Sequence, residues 1–115
     1  MEKLSQRLLS QIEQFDISLP VEEATMPPAS WYTDQEFSDL ELGSVFRYTW
    51  QPVMRKTEIS KINSFKSGIV GKIPWVVTRG PDLKLRAFYN ICRHKGREVV
   101  CGDGCSKAGE LVCGY

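Results

Sequence analysis

Two short segments near the carboxyl end of the chain carry residues that can bind metal. The first is Cys92-Arg93-His94, and the second is Cys113-Gly114-Tyr115. Thiolates and imidazoles bind zinc, and they also bind a [2Fe–2S] cluster in which histidines replace two of the four cysteines. The Cys-x-His spacing lets one loop present a thiolate and an imidazole to neighbouring metal atoms. The residues therefore indicate metal binding, with electron transfer as the chemistry if the metal is iron.

The sequence around these segments is similar to a known family. Residues 85–96, which contain Cys92 and His94, resemble the first cluster loop of Rieske non-haem iron oxygenases, and residues 113–115 resemble the start of the second, Cys-x-x-His loop. Residues 28–34 and 45–51 resemble the N-terminal helix region of the same family. The resemblance thus covers roughly residues 27–115, in the order that the family has them.

The residues beside the ligand positions distinguish two branches of Rieske proteins. The respiratory branch has an extra cysteine just after the first histidine and another inside the second loop. Lys95, Gly96 and Tyr115 occupy those places here. The resemblance therefore favours the large (alpha) subunits of ring-hydroxylating and choline-monooxygenase-like oxygenases.

This resemblance implies a cofactor and a set of ligands. Cys92 and Cys113 would hold the inner iron of a [2Fe–2S] cluster, and His94 would hold the outer iron. Neutral imidazoles remove negative charge from the outer iron, so the reduction potential lies above that of an all-cysteine cluster. In the family the cluster lies at the tip of an antiparallel β domain.

The family also implies partners and an activity for a larger parent protein. A reductase or ferredoxin would pass electrons to the cluster. From there they would reach a mononuclear Fe(II), held by two histidines and one carboxylate, where O₂ oxidises an organic substrate. The parent is expected to be an oxidoreductase, either a monooxygenase or a dioxygenase, and a homo-oligomer, typically a trimer.

Two observations predict that the chain is truncated before the last cluster ligand. The second-loop histidine would be the residue after Tyr115. His94 is the only histidine in the sequence, so the chain cannot supply the two histidines of the mononuclear iron site. The catalytic domain is thus expected outside this chain, and the chain alone is not expected to be catalytically active.

Besides a thiol redox or disulfide protein, which the lack of a Cys-x-x-Cys motif and the reducing compartment disfavour, two alternative interpretations remain open at this stage. A zinc module could draw on Cys92, His94, Cys101, Cys105 and Cys113, although their spacings do not match common zinc fingers. An inactive fragment without a bound cluster is the other alternative, because a site short of one ligand holds its cluster poorly. Cys101 and Cys105 are interpreted most simply as free thiols beside a glycine-rich turn.

Composition and charge exclude several classes of function. The net charge of +1 gives no electrostatic reason to expect nucleic acid or a membrane surface as a partner. The chain has no apolar run of membrane-spanning length, and its first residues lack the apolar core of a signal peptide. Four cysteines without a secretory signal favour a reducing compartment, so the predicted location is cytoplasmic.

The predicted fold class is mainly β with N-terminal helices, forming an incomplete antiparallel Rieske-type β domain. Residues 1–32 are predicted as a helical arm and linker, residues 33–50 as a helix leading into the domain, and residues 51–115 as a partial Rieske [2Fe–2S] domain. The arm begins with an amphipathic helix predicted over residues 1–16, whose apolar side is formed by Leu4, Leu8, Ile12 and Phe15.

Local signals place the remaining elements. Thr33 and Glu36 predict a capping box at the start of the second helix. A short strand is predicted at residues 53–54, and residues 67–71 are predicted as a strand followed by a turn. Strands at residues 75–79 and 84–90, separated by the turn Gly80-Pro81-Asp82, form a hairpin that leads directly to Cys92.

Overall fold

The computed structural model describes residues 4–115. They fall into two compact units, one ending at Tyr48 and the other spanning Thr49–Tyr115. The first unit is helical and the second contains an antiparallel sheet, so the predicted fold class of β domain with N-terminal helices is confirmed. None of the helices described between residues 4 and 115 is long and apolar enough to cross a membrane.

The N-terminal unit contains four helices: α1 (Gln6–Glu13), α2 (Ser30–Thr33), α3 (Gln35–Gly43) and α4 (Val45–Tyr48). Helix α1 is shorter than the predicted span of residues 1–16, of which residues 1–3 lie outside the described part. Leu8 is fully buried, as the amphipathic pattern predicts. Three aromatic rings pack beside one another, with centroids 5.1 Å apart for Phe15 and Trp31 and 4.6 Å apart for Trp31 and Phe37.

The capping of these helices differs from the prediction. Asp34, and not Thr33, is the N-cap of α3, and its carboxylate accepts the Glu36 amide at 2.9 Å. The Glu36 carboxylate instead accepts the amide and the hydroxyl of Ser5, each at 2.7 Å. Ser5 is the N-cap of α1, with its hydroxyl oxygen accepting the Leu8 amide. The capping box of α1 is thus completed by a residue of another helix, a pairing that a local sequence pattern cannot reveal.

The second unit is built on a four-stranded antiparallel sheet of β1 (Ser64–Val70), β2 (Ile73–Arg79), β3 (Leu85–Tyr89) and β4 (Asp103–Cys105). The strand order is β3-β2-β1-β4, and a single 3₁₀ turn follows at Lys107–Gly109. The strand predicted at residues 67–71 and the hairpin predicted from residues 75–79 and 84–90 are both confirmed, with shifts of a few residues at the ends.

The short strand predicted at residues 53–54 is absent from the described structure, where this segment forms loop and turns. Its neighbourhood is held by a side chain instead of a strand ladder. The Arg79 guanidinium donates to the carbonyl oxygens of Lys56 and Ile59, and to that of Leu83 in the β2–β3 turn. Ile59, which lies in this loop, is buried, with an exposed fraction of only 2%.

Both faces of the sheet are covered at its centre. Val76 and Val77 are adjacent on β2 and are both buried, although consecutive side chains in a strand point to opposite faces. The β2–β3 register pairs Val76 with Phe88 and Trp75 with Tyr89. The last amide of this ladder is that of Asn90, which donates to the Pro74 carbonyl oxygen at 2.9 Å. The hairpin therefore delivers the chain to residues 91–97 from a fixed position.

Candidate metal centre

The loop that follows β3 is closed by its own main chain. The Cys92 amide donates to the Arg97 carbonyl oxygen at 2.7 Å, and the Gly96 amide donates to the Cys92 carbonyl oxygen at 2.9 Å. Gly96 has a φ of 72°, in the left-handed region that glycine adopts without steric cost. We call residues 91–97 the ligand loop, since it carries Cys92 and His94. These two main-chain hydrogen bonds fix the backbone positions from which the Cys92 and His94 side chains extend.

Asn90 anchors the base of the ligand loop, and its role was not predicted from the sequence. The side chain is 1% exposed and makes three hydrogen bonds. Its Oδ1 accepts the amides of Val99 and Val100, each at 3.1 Å, and its Nδ2 donates to the Val100 carbonyl oxygen at 2.7 Å. The available sequence signal was a polar residue ending an alternating strand two positions before a candidate ligand.

Cys92 and Cys113 lie together although they come from different segments. Both are half-buried, and the Cys113 thiol lies close enough to Cys92 to lower the pKa of its thiol. The pKa of the Cys92 thiol is lowered, first by the His94 backbone amide, then by the Cys113 thiol, with a smaller contribution from the Lys95 amide. A lowered pKa favours the thiolate, which is the form that binds metal.

The His94 side chain is exposed and lies beside Tyr115. Their ring centroids are 5.4 Å apart, with the planes inclined at 54°. Lys95 contacts the same tyrosine, because its Nζ donates to Tyr115 Oη at 2.6 Å. The structure therefore brings the segment Cys113-Gly114-Tyr115 against the ligand loop at two places, at Cys92 and at His94–Lys95.

The remaining cysteines lie apart from this pair of segments. Cys101 and Cys105 are both exposed, and Cys105 is paired with Ser64 across the β1–β4 ladder. Within residues 4–115, no group of three or more histidine, cysteine, aspartate or glutamate side chains is placed to hold one metal ion. The zinc interpretation, which requires four ligands around a single ion, gains no support from this arrangement.

A two-iron cluster makes a different demand on the protein. Four protein ligands are shared between two irons, so each iron takes two of them. The contact between Cys92 and Cys113 supplies two sulfur donors at one point, which is what one iron requires. The exposed imidazole of His94 follows two residues later on the same loop. Two nearby cysteine sulfurs and an imidazole on the same loop form a donor set that fits a [2Fe–2S] cluster.

Comparison with known proteins places the chain in a family. Residues 49–115 match the model of the Rieske [2Fe-2S] domain. Choline monooxygenase from spinach chloroplasts is 35% identical over 106 residues, which cover 92% of this chain and 24% of the relative. The apo crystal structure of a quaternary ammonium Rieske monooxygenase is 33% identical with a TM-score of 0.71, covering 80% of this chain and 26% of that one.

A ring-hydroxylating enzyme is similar as well. Naphthalene 1,2-dioxygenase with indole bound has a TM-score of 0.63 and 30% identity, over 71% of this chain and 18% of that one. The chain belongs to the Rieske [2Fe-2S] domain family and is homologous to Rieske monooxygenases and dioxygenases. It spans about a quarter of the length of the spinach relative. The family suggested by the cysteine and histidine spacing is thereby confirmed, as is the [2Fe–2S] cofactor that characterises it.

Proposed function

We propose that this chain is the electron-transfer portion of a Rieske oxygenase, with Cys92 and Cys113 as ligands of the inner iron and His94 as a ligand of the outer iron. The observation that supports the assignment is the proximity of the Cys113 thiol to Cys92, which brings together two cysteines 21 positions apart in the sequence. When bound, the cluster accepts and releases one electron at a time.

The residues of the chain prepare this site in separate ways. The backbone amides of His94 and Lys95 lower the pKa of the Cys92 thiol and so stabilise its negative charge. Such hydrogen bonds to cluster sulfurs are one of the means by which a protein sets the reduction potential. The Tyr115 ring lies beside His94 and limits the positions that its imidazole can adopt.

The activity that we propose for the whole protein is the O₂-dependent oxidation of an organic substrate at a mononuclear iron. This chain contains a single histidine, so we assign that iron, with its ligands of two histidines and a carboxylate, to residues outside the chain. Homologous enzymes named for such oxidations support the proposal. We also propose a homo-oligomeric assembly, and a reducing compartment such as the cytoplasm, where the cysteines stay reduced.

The electron donor that we propose is a reductase or a ferredoxin. Arg93, Lys95 and Arg97 are exposed on the ligand loop, where the nearest acidic residue in sequence is Glu98. An excess of positive charge beside the redox centre attracts an acidic partner and accelerates the encounter, with an effect that weakens as salt increases.

A test of the ligand assignment uses the chain extended by one histidine and two glycines after Tyr115, which completes the Cys-x-x-His spacing. The matched control carries alanine in place of the added histidine. After anaerobic reconstitution with iron and sulfide, the histidine-extended protein should be brown and give a Rieske electron paramagnetic resonance signal when reduced. A colourless protein would overturn the cofactor assignment. An equal signal from the alanine control would show that the added histidine is not a ligand.

Substitutions within the chain separate the individual ligands. Replacing His94 with cysteine should lower the reduction potential, because a charged thiolate replaces a neutral imidazole on the outer iron. An unchanged potential would exclude His94 as a ligand. The double substitution Cys101→Ser with Cys105→Ser should leave the signal intact. Loss of the signal in that variant would instead support a site that uses these two thiols.

A further inference from the structure

We propose that Asn90 is a positioning residue for the cluster: it holds the ligand loop in the conformation that Cys92 and His94 need. This inference rests on the proposed ligand assignment and adds to it a residue that does not itself touch the cluster. Asn90 lies two positions before Cys92, at the point where the β2–β3 ladder ends. The oxygen and the nitrogen of its side-chain amide both form hydrogen bonds with the main chain of residues 99–100.

The Asn90 side chain connects the two ends of the loop by hydrogen bonds, and we call this connection the clasp. The chain leaves the sheet at residue 90 and returns past it at Val99 and Val100. There, two main-chain amides donate to the Asn90 side chain, and the Val100 carbonyl oxygen accepts a third hydrogen bond from it. The Asn90 backbone amide is bound to the Pro74 carbonyl oxygen of β2. Asn90 therefore connects both ends of the loop to strand β2.

Burial makes this clasp strong. The Asn90 side chain is 1% exposed, so water cannot replace the bonds that its amide makes. Removal of the amide would leave two donors and one acceptor of the main chain without partners, and a buried group without a partner costs far more than an exposed one. The cost falls on residues 99–100, which close the loop, and not on the core strands.

Asparagine fits this task where other residues do not. It offers an acceptor for two amides and a donor for one carbonyl oxygen from a single planar group. Aspartate keeps the acceptor for the Val99 and Val100 amides but lacks the donor when ionised. Leucine has the same branched shape, is larger, and keeps neither. The series Asn, Asp and Leu at this position thus removes the clasp in steps.

The first test uses the chain without cluster and follows amide hydrogen exchange at Cys92 and Gly96, whose amides close the ligand loop. Asn90→Leu should speed exchange at both amides about tenfold or more, since local opening then requires less free energy. Asn90→Asp should give a smaller increase. If Asn90→Leu does not fold, the result for Asn90→Asp decides, and exchange equal to wild type would overturn the proposal.

The matched control is Ser64→Ala. Ser64 is also buried in the second unit, at 6% exposure, and its hydroxyl donates to the Lys61 carbonyl oxygen. This variant should lose stability while exchange at Cys92 and Gly96 changes in proportion to the global stability alone. If exchange at Cys92 and Gly96 in Asn90→Leu also changed only in proportion to its loss of global stability, as in Ser64→Ala, Asn90 would act only through stability, which would overturn the proposal.

The second test uses the histidine-extended protein with its cluster. Asn90→Leu should shorten the lifetime of the cluster in the presence of a chelator by about 10-fold or more, as is usual when a residue that orients a ligand is removed. Asn90→Asp should keep most of the wild-type cluster lifetime, and Ser64→Ala should leave that lifetime unchanged. A lifetime equal to wild type in Asn90→Leu would overturn the proposal. If the wild-type protein takes up no cluster, the ligand assignment fails, while the exchange experiment still decides whether Asn90 shapes the loop.

Discussion

The ammonium group of Lys95 donates a hydrogen bond to the hydroxyl of Tyr115 at 2.6 Å and lies 4.6 Å from the centroid of the same ring. Lys95 follows His94 on the ligand loop, and Tyr115 follows Cys113 by two residues. One lysine thus joins the two segments that carry the proposed ligands. The same tyrosine ring also lies beside the His94 imidazole, with ring centroids 5.4 Å apart.

Removal of the Tyr115 ring should make His94 more reactive. His94 is the only histidine of the chain, so modification by diethylpyrocarbonate, followed by absorbance, reports on this residue alone. In the cluster-free chain, Tyr115→Ala should speed the reaction about threefold, since one aromatic wall of the imidazole is lost. Tyr115→Phe keeps the ring and serves as the control, with a rate close to wild type. Equal rates in all three proteins would contradict the contact.

Gly68 should not tolerate alanine. A Cβ at this position would lie 2.6 Å from Cζ2 of Trp75, which packs across β1 from the neighbouring strand. The indole would have to move, and overpacking of this kind costs about 1–3 kcal/mol. Gly43→Ala is the control, because a Cβ there has no neighbour within 4 Å. Chemical denaturation of each variant should show a loss of stability for Gly68→Ala only. Equal denaturation midpoints for the two variants would contradict the packing of Trp75 on Gly68.

Arg79 should matter more for stability than its partial exposure suggests. Its guanidinium donates to three carbonyl oxygens, those of Lys56, Ile59 and Leu83. Arg79→Met keeps the apolar stem and removes all three bonds, so the free energy of unfolding should fall by about 2–4 kcal/mol. Arg86→Met, which breaks the exposed pair with Asp82, should cost much less. Thermal unfolding measures the loss of stability in both variants. Similar losses would contradict the stabilising role of the three Arg79 hydrogen bonds.

Acid should weaken the attachment of α1 to α3. The pKa of Glu36 is held below 4.5, first by the Ser5 hydroxyl and then by the Ser5 amide, and the pKa of Asp34 is held below 3.8, chiefly by Arg7. A carboxyl whose pKa is lowered by folding contributes stability above its unfolded pKa and loses it as the pH falls through the folded one. The Leu8 methyl resonances should therefore shift as the pH falls below about 4.5.

The variant Glu36→Gln provides the control for this pH dependence. It keeps oxygen and nitrogen atoms at the same place but carries no charge that can titrate. The Leu8 resonances of this variant should depend less on pH between 5 and 2, with the residual dependence coming from Asp34. A titration identical to wild type would show that Glu36 does not hold α1.

The elements that the sequence predicted well are those with local causes. The β2–β3 hairpin follows from β-branched and aromatic residues on both sides of Gly80-Pro81-Asp82, and all of these signals lie within 16 residues. The spacing of Cys92 and His94 likewise indicates metal binding without any knowledge of the fold. In both cases the physical determinant and its effect are neighbours in the chain.

The predictions that failed, and the residues that were missed, involve partners distant in sequence. Glu36 caps Ser5 across 31 positions, so the pattern beginning at Thr33 misassigned its partner. The strand expected at residues 53–54 does not form, and Arg79, more than 20 residues further on, binds the carbonyl oxygens that follow it. Asn90 looked like one more member of an alternating strand, and only the return of the chain at Val99 reveals its role.

The antiparallel register between β2 and β3 has a consequence for insertions and deletions. Gly80 pairs with Lys84 around the turn, and the same ladder continues through Val76 and Phe88 to Pro74 and Asn90. One residue gained or lost in the turn would turn every later side chain of β3 to the other face. Asn90 would then point away from Val99, and the ligand loop would start on the wrong side of the sheet. The length of a surface turn that contains no ligand therefore helps to determine where the ligand loop begins.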